Sequence, residues 1–293
     1  MFHFIRMRKY WYILSILFIL PGLISLMVQG LNLGIDFTGG SIVEVRFDKP
    51  ATTEQVREVV HAQGLEASRS IVKSGDNDYI IRTRVLNQEE SGKLMDALEQ
   101  KLGQVTMLRN ELVGPVIGKE LAQKALLALL IASVLMVIYI TFRFEFKQGI
   151  AAIIALLHDV LIVTGVFSIF QFEVDSAFVA ALLTIIGYSI NDTIIIFDRI
   201  RENLKMKKKE QTLEDLINLS LWQTLARSIN TVLTVMFVLV ALYLLGGSTI
   251  KTFVLAMLIG VSSGAYSSIF NASPIWFDLK KMEKRKKVQP ARA

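Results

Sequence analysis

Six stretches of the chain are apolar for long enough to cross a bilayer: residues 11–28, 125–142, 149–170, 177–197, 227–245 and 252–275. A hydrocarbon core about 30 Å thick needs about 20 such residues in a helix. Between the first two stretches, residues of about 30–122 are polar enough to fold in water. There Val43, Val45 and Phe47 alternate with Glu44 and Arg46, which predicts a strand over 42–48. Thr52 and Gln55 form a capping-box pattern, and Val56, Val59 and Val60 follow at helical spacing until Gly64. Two short strands are predicted at 68–73 and 79–85, around the turn signal Gly75-Asp76-Asn77-Asp78. Asn87 and Glu90 cap a second predicted helix with Leu94, Leu98 and Leu102 on one face, and 104–108 reads as a last strand. The order βαββαβ is that of a ferredoxin-like split unit.

Orientation follows from where lysine and arginine sit in the short loops. Arg6, Arg8 and Lys9 precede the first span, and Arg143 and Lys147 follow the second. The segment after the fourth span carries Arg199, Arg201, Lys205, Lys207, Lys208 and Lys209, and the tail is equally basic. The loops 171–175 and 246–251 carry no base and one base. Both termini are therefore expected in the cytoplasm and the polar domain outside it. The expected fold class is an α-helical polytopic membrane protein: six transmembrane helices with a ferredoxin-like α+β extracytoplasmic domain between the first and second. The predicted regions are 1–29 (N-terminus and first helix), 30–122 (outer domain), 123–276 (helices two to six) and 277–293 (basic tail). The first span reads as a retained anchor, because Gln29-Gly30-Leu31-Asn32 offers no small-residue cleavage site. Leu213, Leu216, Ile217 and Leu221 give an amphipathic segment near 203–225, expected to lie on the anionic inner leaflet. The tail is expected to be disordered or to lie on the membrane surface.

Composition narrows the function classes. The chain is 53% hydrophobic and 20% charged, a balance that belongs in lipid. Its net charge of +6 comes from bases that flank apolar runs, not from a basic face interleaved with aromatics, so no nucleic-acid partner is expected. The absence of cysteine excludes thiolate sites and disulfides. With only His3, His61 and His158 available, neither a metal nor a cofactor is expected. Serines in the sixth span accompany His158 without a nucleophile, base and oxyanion arrangement, so no enzyme is expected.

Ionisable groups inside a span cost several kcal/mol and point to function. Asp192, in Gly187-Tyr188-Ser189-Ile190-Asn191-Asp192-Thr193, lies about 8 Å inside the cytoplasmic edge of the fourth span. A carboxylate there has to be paired, protonated or in a wet cavity, which makes it the candidate ion-carrying group. Arg227 enters from the same edge at the start of the fifth span, at matching depth. Asn191, Asp159 and Asp198 are supporting candidates; Asp159 stands beside His158 midway along the third span, and Asp198 at the water boundary. Gly260 and Gly264 form a small-residue face suited to helix packing. Gly34, Asp36, Gly39 and Gly40 belong to a glycine-rich turn, expected to dock the outer domain and to act as its hinge.

An ordered set of motifs resembles the SecF family of bacterial protein export. It comprises Gly34-x-Asp36-Phe37-x-Gly39-Gly40, Val113-Gly114-Pro115-Val116-Ile117-Gly118, His158-Asp159 and the fourth-span block running on into Phe197-Asp198-Arg199-Ile200-Arg201-Glu202-Asn203. Arg227-Ser228-Ile229-Asn230-Thr231 and Tyr266-Ser267-Ser268 with Ala272-Ser273-Pro274 complete it. Asn271 and Val235-Met236-Phe237 depart from the family's pattern.

The resemblance implies half of a membrane fold of the resistance–nodulation–division kind, SecD supplying the other half. It implies association with the SecYEG channel in the bacterial inner membrane, and use of the ion gradient to assist polypeptides in transit. The family's ion-conducting carboxylate falls on Asp192 and its essential arginine on Arg227. The alternatives are a half-size small-molecule exporter of the resistance–nodulation–division type and a structural stabiliser of the translocon.

Overall fold

The computed structural model describes residues 3–65, 71–207 and 209–288. Residues 68–70 of a predicted strand, Lys208 and the end of the tail lie outside them. The element order is α1 (Arg8–Val28), β1 (Asn32–Leu33), α2 (Ile35–Thr38), β2 (Gly40–Phe47), α3 (Thr53–Ala62), β3 (Ile71–Lys73), β4 (Asp78–Thr83), α4 (Gln88–Leu102) and β5 (Val105–Val113). There follow α5 (Pro115–Arg143), α6 (Phe146–Ile169), β6 (Glu173–Val174), α7 (Ser176–Lys205), α8 (Leu213–Leu245), α9 (Ser248–Ser267), a π-helical turn (Ser268–Ala272) and α10 (Ser273–Val288). The chain divides into two compact units, residues 33–127 and residues 1–32 with 128–293.

The smaller unit is built on a four-stranded sheet in the order β3-β4-β2-β5, with every neighbouring pair antiparallel. Both helices start where their caps predict: Thr52 and Gln55 close one capping box, Asn87 and Glu90 the other. Val43, Val45 and Phe47 point to one face of the sheet and form a core with Val56, Val59 and Val60 of α3 and Leu94 and Leu98 of α4. Each such side chain contributes about 1.5–3 kcal/mol by leaving water. On the opposite face Ile42 and Ile80 pack with Ile35 in a smaller cluster. Strand β5 runs five residues beyond the predicted end at 108. It pairs along the whole of β2, from Phe47 opposite Val105 to Gly40 opposite Val113. Its polar end, Arg109-Asn110-Glu111, shows no alternation because the partner strand, not the hydrophobic pattern, keeps it extended.

Among the described residues six helices are long and apolar enough to cross a membrane. In the larger unit the third, fourth and sixth spans bury 50%, 50% and 56% of their apolar windows, against 11%, 6% and 11% for the first, second and fifth. The interior is thus made by α6, α7 and the α9–α10 run. Close packing rests on small residues, as it must where lipid removes the hydrophobic drive between helices. A Cβ on Gly22 of α1 would stand 2.7 Å from the Cα of Gly165 in α6. The face of α9 carrying Gly260 and Gly264 meets Ile185 and Ser189 of α7, where added Cβ atoms would come within 2.3 and 3.1 Å of their side chains.

Two expectations are corrected. The segment expected on the inner leaflet is the opening of α8, continuous with the fifth span. Its apolar residues Leu216, Ile217 and Leu221 are buried in a protein core that also holds Phe4, Ile5 and Ile200. Asn218 accepts a hydrogen bond from the Ile5 amide at 3.2 Å, and Asn203 donates to Ser220 and to Gln223, each at 2.8 Å. An amphipathic face is the same signal whether lipid or protein covers it. Within the described residues the basic tail continues the sixth span as helix to Val288, in place of the disorder that was one of its two expected states. It is tied back at its start, where Asp278 accepts from Arg8 at 2.9 Å and from Tyr12 at 3.1 Å.

Candidate functional site: two carboxylates in the membrane-spanning unit

Asp192 lies on α7, one helical turn beyond Ser189, and is 2% exposed. Its Oδ2 is buried and has no hydrogen-bond donor. Arg227 of α8 is near enough for its charge to act on this carboxylate. The two make no ion pair within 4.0 Å, and Arg227 is exposed within the chain. A polar cavity of about 370 Å³ is lined by Arg227, Gln223 and Thr224 of α8 with Asp198, Arg199 and Glu202 near the end of α7. A buried oxygen without a donor, near a cation that itself lines a polar cavity, suits a group that takes up and gives up a cation.

Asp159 is the opposite case. It is fully buried on α6, and four donors converge on it. Ser263 reaches Oδ1 at 2.6 Å, and the neighbouring His158 Nδ1 stands 3.0 Å from the same oxygen. Ser189 and Ser267 donate to Oδ2 at 2.6 and 2.7 Å. The serines come from α7 and α9, so one carboxylate ties three interior spans. His158 stacks on Tyr266, with ring centroids 5.8 Å apart.

Of the other sequence candidates, Asn191 faces outward on α7 beside the buried Asp192. Asp198 pairs with Arg143 at 3.1 Å and Arg201 at 3.5 Å, and it shares the polar cavity with Arg227. In the smaller unit, Gly34 precedes the short helix α2, and Asp36 lies in that helix. Gly39 and Gly40 end it at φ of 74° and 145°. A Cβ on Gly39 would fall 2.8 Å from the Cα of Pro115, and one on Gly40 would fall 2.6 Å from the Thr83 carbonyl oxygen. Among the described residues no group of three or more His, Asp or Glu side chains stands together as metal ligands. The sequence did not single out Ser189, Ser263 and Ser267 as partners of Asp159. Serine is a common packing residue in a span, and its only signal here was an uncommon density along the sixth.

The family model "Protein export membrane protein SecD/SecF, C-terminal" matches residues 93–282, and the "SecD/SecF GG Motif" matches 24–51, which contains Gly39 and Gly40. The chain belongs to the SecD/SecF family of protein-export membrane proteins. A SecF protein translocase subunit from Sebaldella termitidis is 41% identical, over 95% of this chain and 92% of that protein. SecDF from Bacillus subtilis is 45% identical, over 97% of this chain and 39% of its own length. The crystal structure of a translocon-associated SecDF from Thermus thermophilus superposes with a TM-score of 0.88 at 35% identity, covering 96% of this chain and 39% of that one. In SecDF, therefore, a chain of this kind is one part of a longer polypeptide. Asn271, expected from the sequence to depart from the SecF pattern, lies in the π-helical turn and exchanges hydrogen bonds with Ser15 of α1 at 2.9 and 3.2 Å.

Proposed function

We propose that this chain works as the SecF half of a SecD–SecF unit that uses the transmembrane ion gradient to assist polypeptide export through SecYEG. The observation that carries the reading is Asp192: a carboxylate buried on the fourth span, with one oxygen lacking any donor and the charge of Arg227 acting on it. Asp192 takes up the coupling cation, and Arg227 stabilises the carboxylate once it is empty. Support for a SecD partner comes from relatives in which both names stand on one chain. Arg227 is exposed in the single chain at a depth where lipid cannot solvate it, which favours a second polytopic partner over that face.

The smaller unit is read as a ferredoxin-like domain, on the strength of its βαββαβ order and its sheet order. The lysine and arginine asymmetry of the loops supports its placement outside the cytoplasm, with both termini inside and the protein in the bacterial inner membrane. The turn at Gly39-Gly40 serves as its hinge, and movement of the domain follows the charge state of Asp192.

The test is Asp192→Asn. Gradient-dependent export is expected to fall to the level of cells lacking the protein, while the variant still purifies with SecD. Normal export by an assembled Asp192→Asn complex would sink the ion-coupling reading.

A further inference from the structure

Two buried carboxylates in one membrane-spanning unit invite the same role, and their surroundings separate them. A carboxylate has about four lone-pair positions for hydrogen bonds. At Asp159 all four are occupied: Ser263 and His158 on Oδ1, Ser189 and Ser267 on Oδ2. No side of it is left open to an incoming proton or cation. At Asp192 one buried oxygen is open.

The donors to Asp159 also reach the neighbourhood of Asp192. Ser189 and Thr193 bracket Asp192 on α7. Ser189 is fixed through its hydroxyl to Asp159, and its Cβ lies where a Cβ on Gly264 would be 3.1 Å away. Thr193 is fixed through its hydroxyl to that of Ser268 at 2.9 Å, and Ser268 lies 3.3 Å from the Ser189 carbonyl oxygen. Ser267 and Ser268 are consecutive, so the start of the π-helical turn sends one hydroxyl to the third span and the next to the fourth. A π-helical turn inside a helix frequently marks a functional position.

We propose that Asp159 is a positioning residue: with Ser189, Ser263 and Ser267 it clamps the third, fourth and sixth spans so that the turn carrying Asp192 stays fixed while Asp192 changes its charge. This role rests on the ion-coupling reading of Asp192 and assigns Asp159 no part in carrying the ion. The titratable groups beside the two carboxylates are His158 and Tyr266 on the Asp159 side, and Tyr188 and Arg227 on the Asp192 side.

The experiment uses the chain assembled with SecD in proteoliposomes and measures ion conduction against pH, per assembled complex. Asp159→Asn is expected to conduct, with the midpoint of its pH profile displaced by roughly half a unit or more from wild type. Ser263→Ala, which removes one donor, is expected to shift the midpoint in the same direction. Ser263→Thr keeps the hydroxyl and is expected to restore the wild-type midpoint; Ser263 lines an apolar cavity of about 630 Å³, which has room for the methyl group. Conduction abolished by Asp159→Asn, as by Asp192→Asn, overturns the clamp and makes Asp159 a carrier. Unmoved midpoints in the Ser263→Ala and Asp159→Asn complexes also overturn it, since mere loss of packing changes the amount assembled and not the profile. If Asp159→Asn fails to assemble, the Ser263 pair decides. Wild-type complexes that conduct no ion defeat the ion-coupling reading, and the clamp with it.

Discussion

Ser189 donates a 2.6 Å hydrogen bond to Asp159, and so joins the fourth span to the third one turn before Asp192. The bond anchors α7 to a satisfied carboxylate one helical turn from an unsatisfied one. A buried charge is tolerated when hydrogen bonds surround it and is costly when they do not. That contrast, more than burial itself, distinguishes the two acids.

Among the described residues Arg227 forms no ion pair, so in the proposed coupling its guanidinium is available to the emptied Asp192. Arg227→Ala is expected to lower gradient-dependent export as far as Asp192→Asn does. Arg227→Lys keeps a point charge without the planar fork and is expected to retain an intermediate rate. Export of a secreted reporter, normalised to assembled complex, checks both. Equal export by Arg227→Ala and wild type would remove the arginine from the mechanism.

Gly39 has both a positive φ and a neighbour where a Cβ would stand, the Cα of Pro115 at 2.8 Å. Gly30 shares the positive φ, at 69°, but would place its Cβ in open space. Gly39→Ala is therefore expected to cost about 3 kcal/mol or more, and Gly30→Ala about 1 kcal/mol. Thermal unfolding of the purified chain in detergent reads the difference, and equal losses would mean that φ alone matters.

Arg46 donates to both oxygens of Asp78, at 2.7 and 2.8 Å. That hydrogen bonding, with the guanidinium's charge, holds the Asp78 carboxyl below its usual 3.8. A depressed carboxyl contributes stability above its unfolded value and loses it as the pH falls through the folded one. Arg46→Met is thus expected to lower the unfolding midpoint slightly at pH 7 and to match wild type once Asp78 is protonated in both, below its depressed value. Paired melting curves at the two pH values test this. A deficit that persisted at the low pH would place its origin in packing, not in the ion pair.

The sheet of the smaller unit was legible because alternation at Val43, Val45 and Phe47 and the caps at Thr52 and Asn87 are local signals. The full length of β5 was not, because Arg109-Asn110-Glu111 stays extended through pairing with β2. The opening of α8 was legible as amphipathic, but the identity of its cover was not. Leu216 and Ile217 share a buried core with Ile5, more than 200 positions earlier in the chain. Asp192 and Arg227 stood out by type and depth, whereas Asp159 appeared only as one of two supporting acids.

The sequence by itself determined the six apolar helices, the polar unit inserted after the first, and the presence of two carboxylates where water is scarce. Each of these is a sum over neighbouring residues. Tertiary structure alone decided which acid is satisfied. The hydroxyls that fill Asp159 come from positions 30, 104 and 108 residues away, and the oxygen of Asp192 is left open by the same packing. A hydrogen bond acts over about 3 Å of space and carries no trace of the separation along the chain.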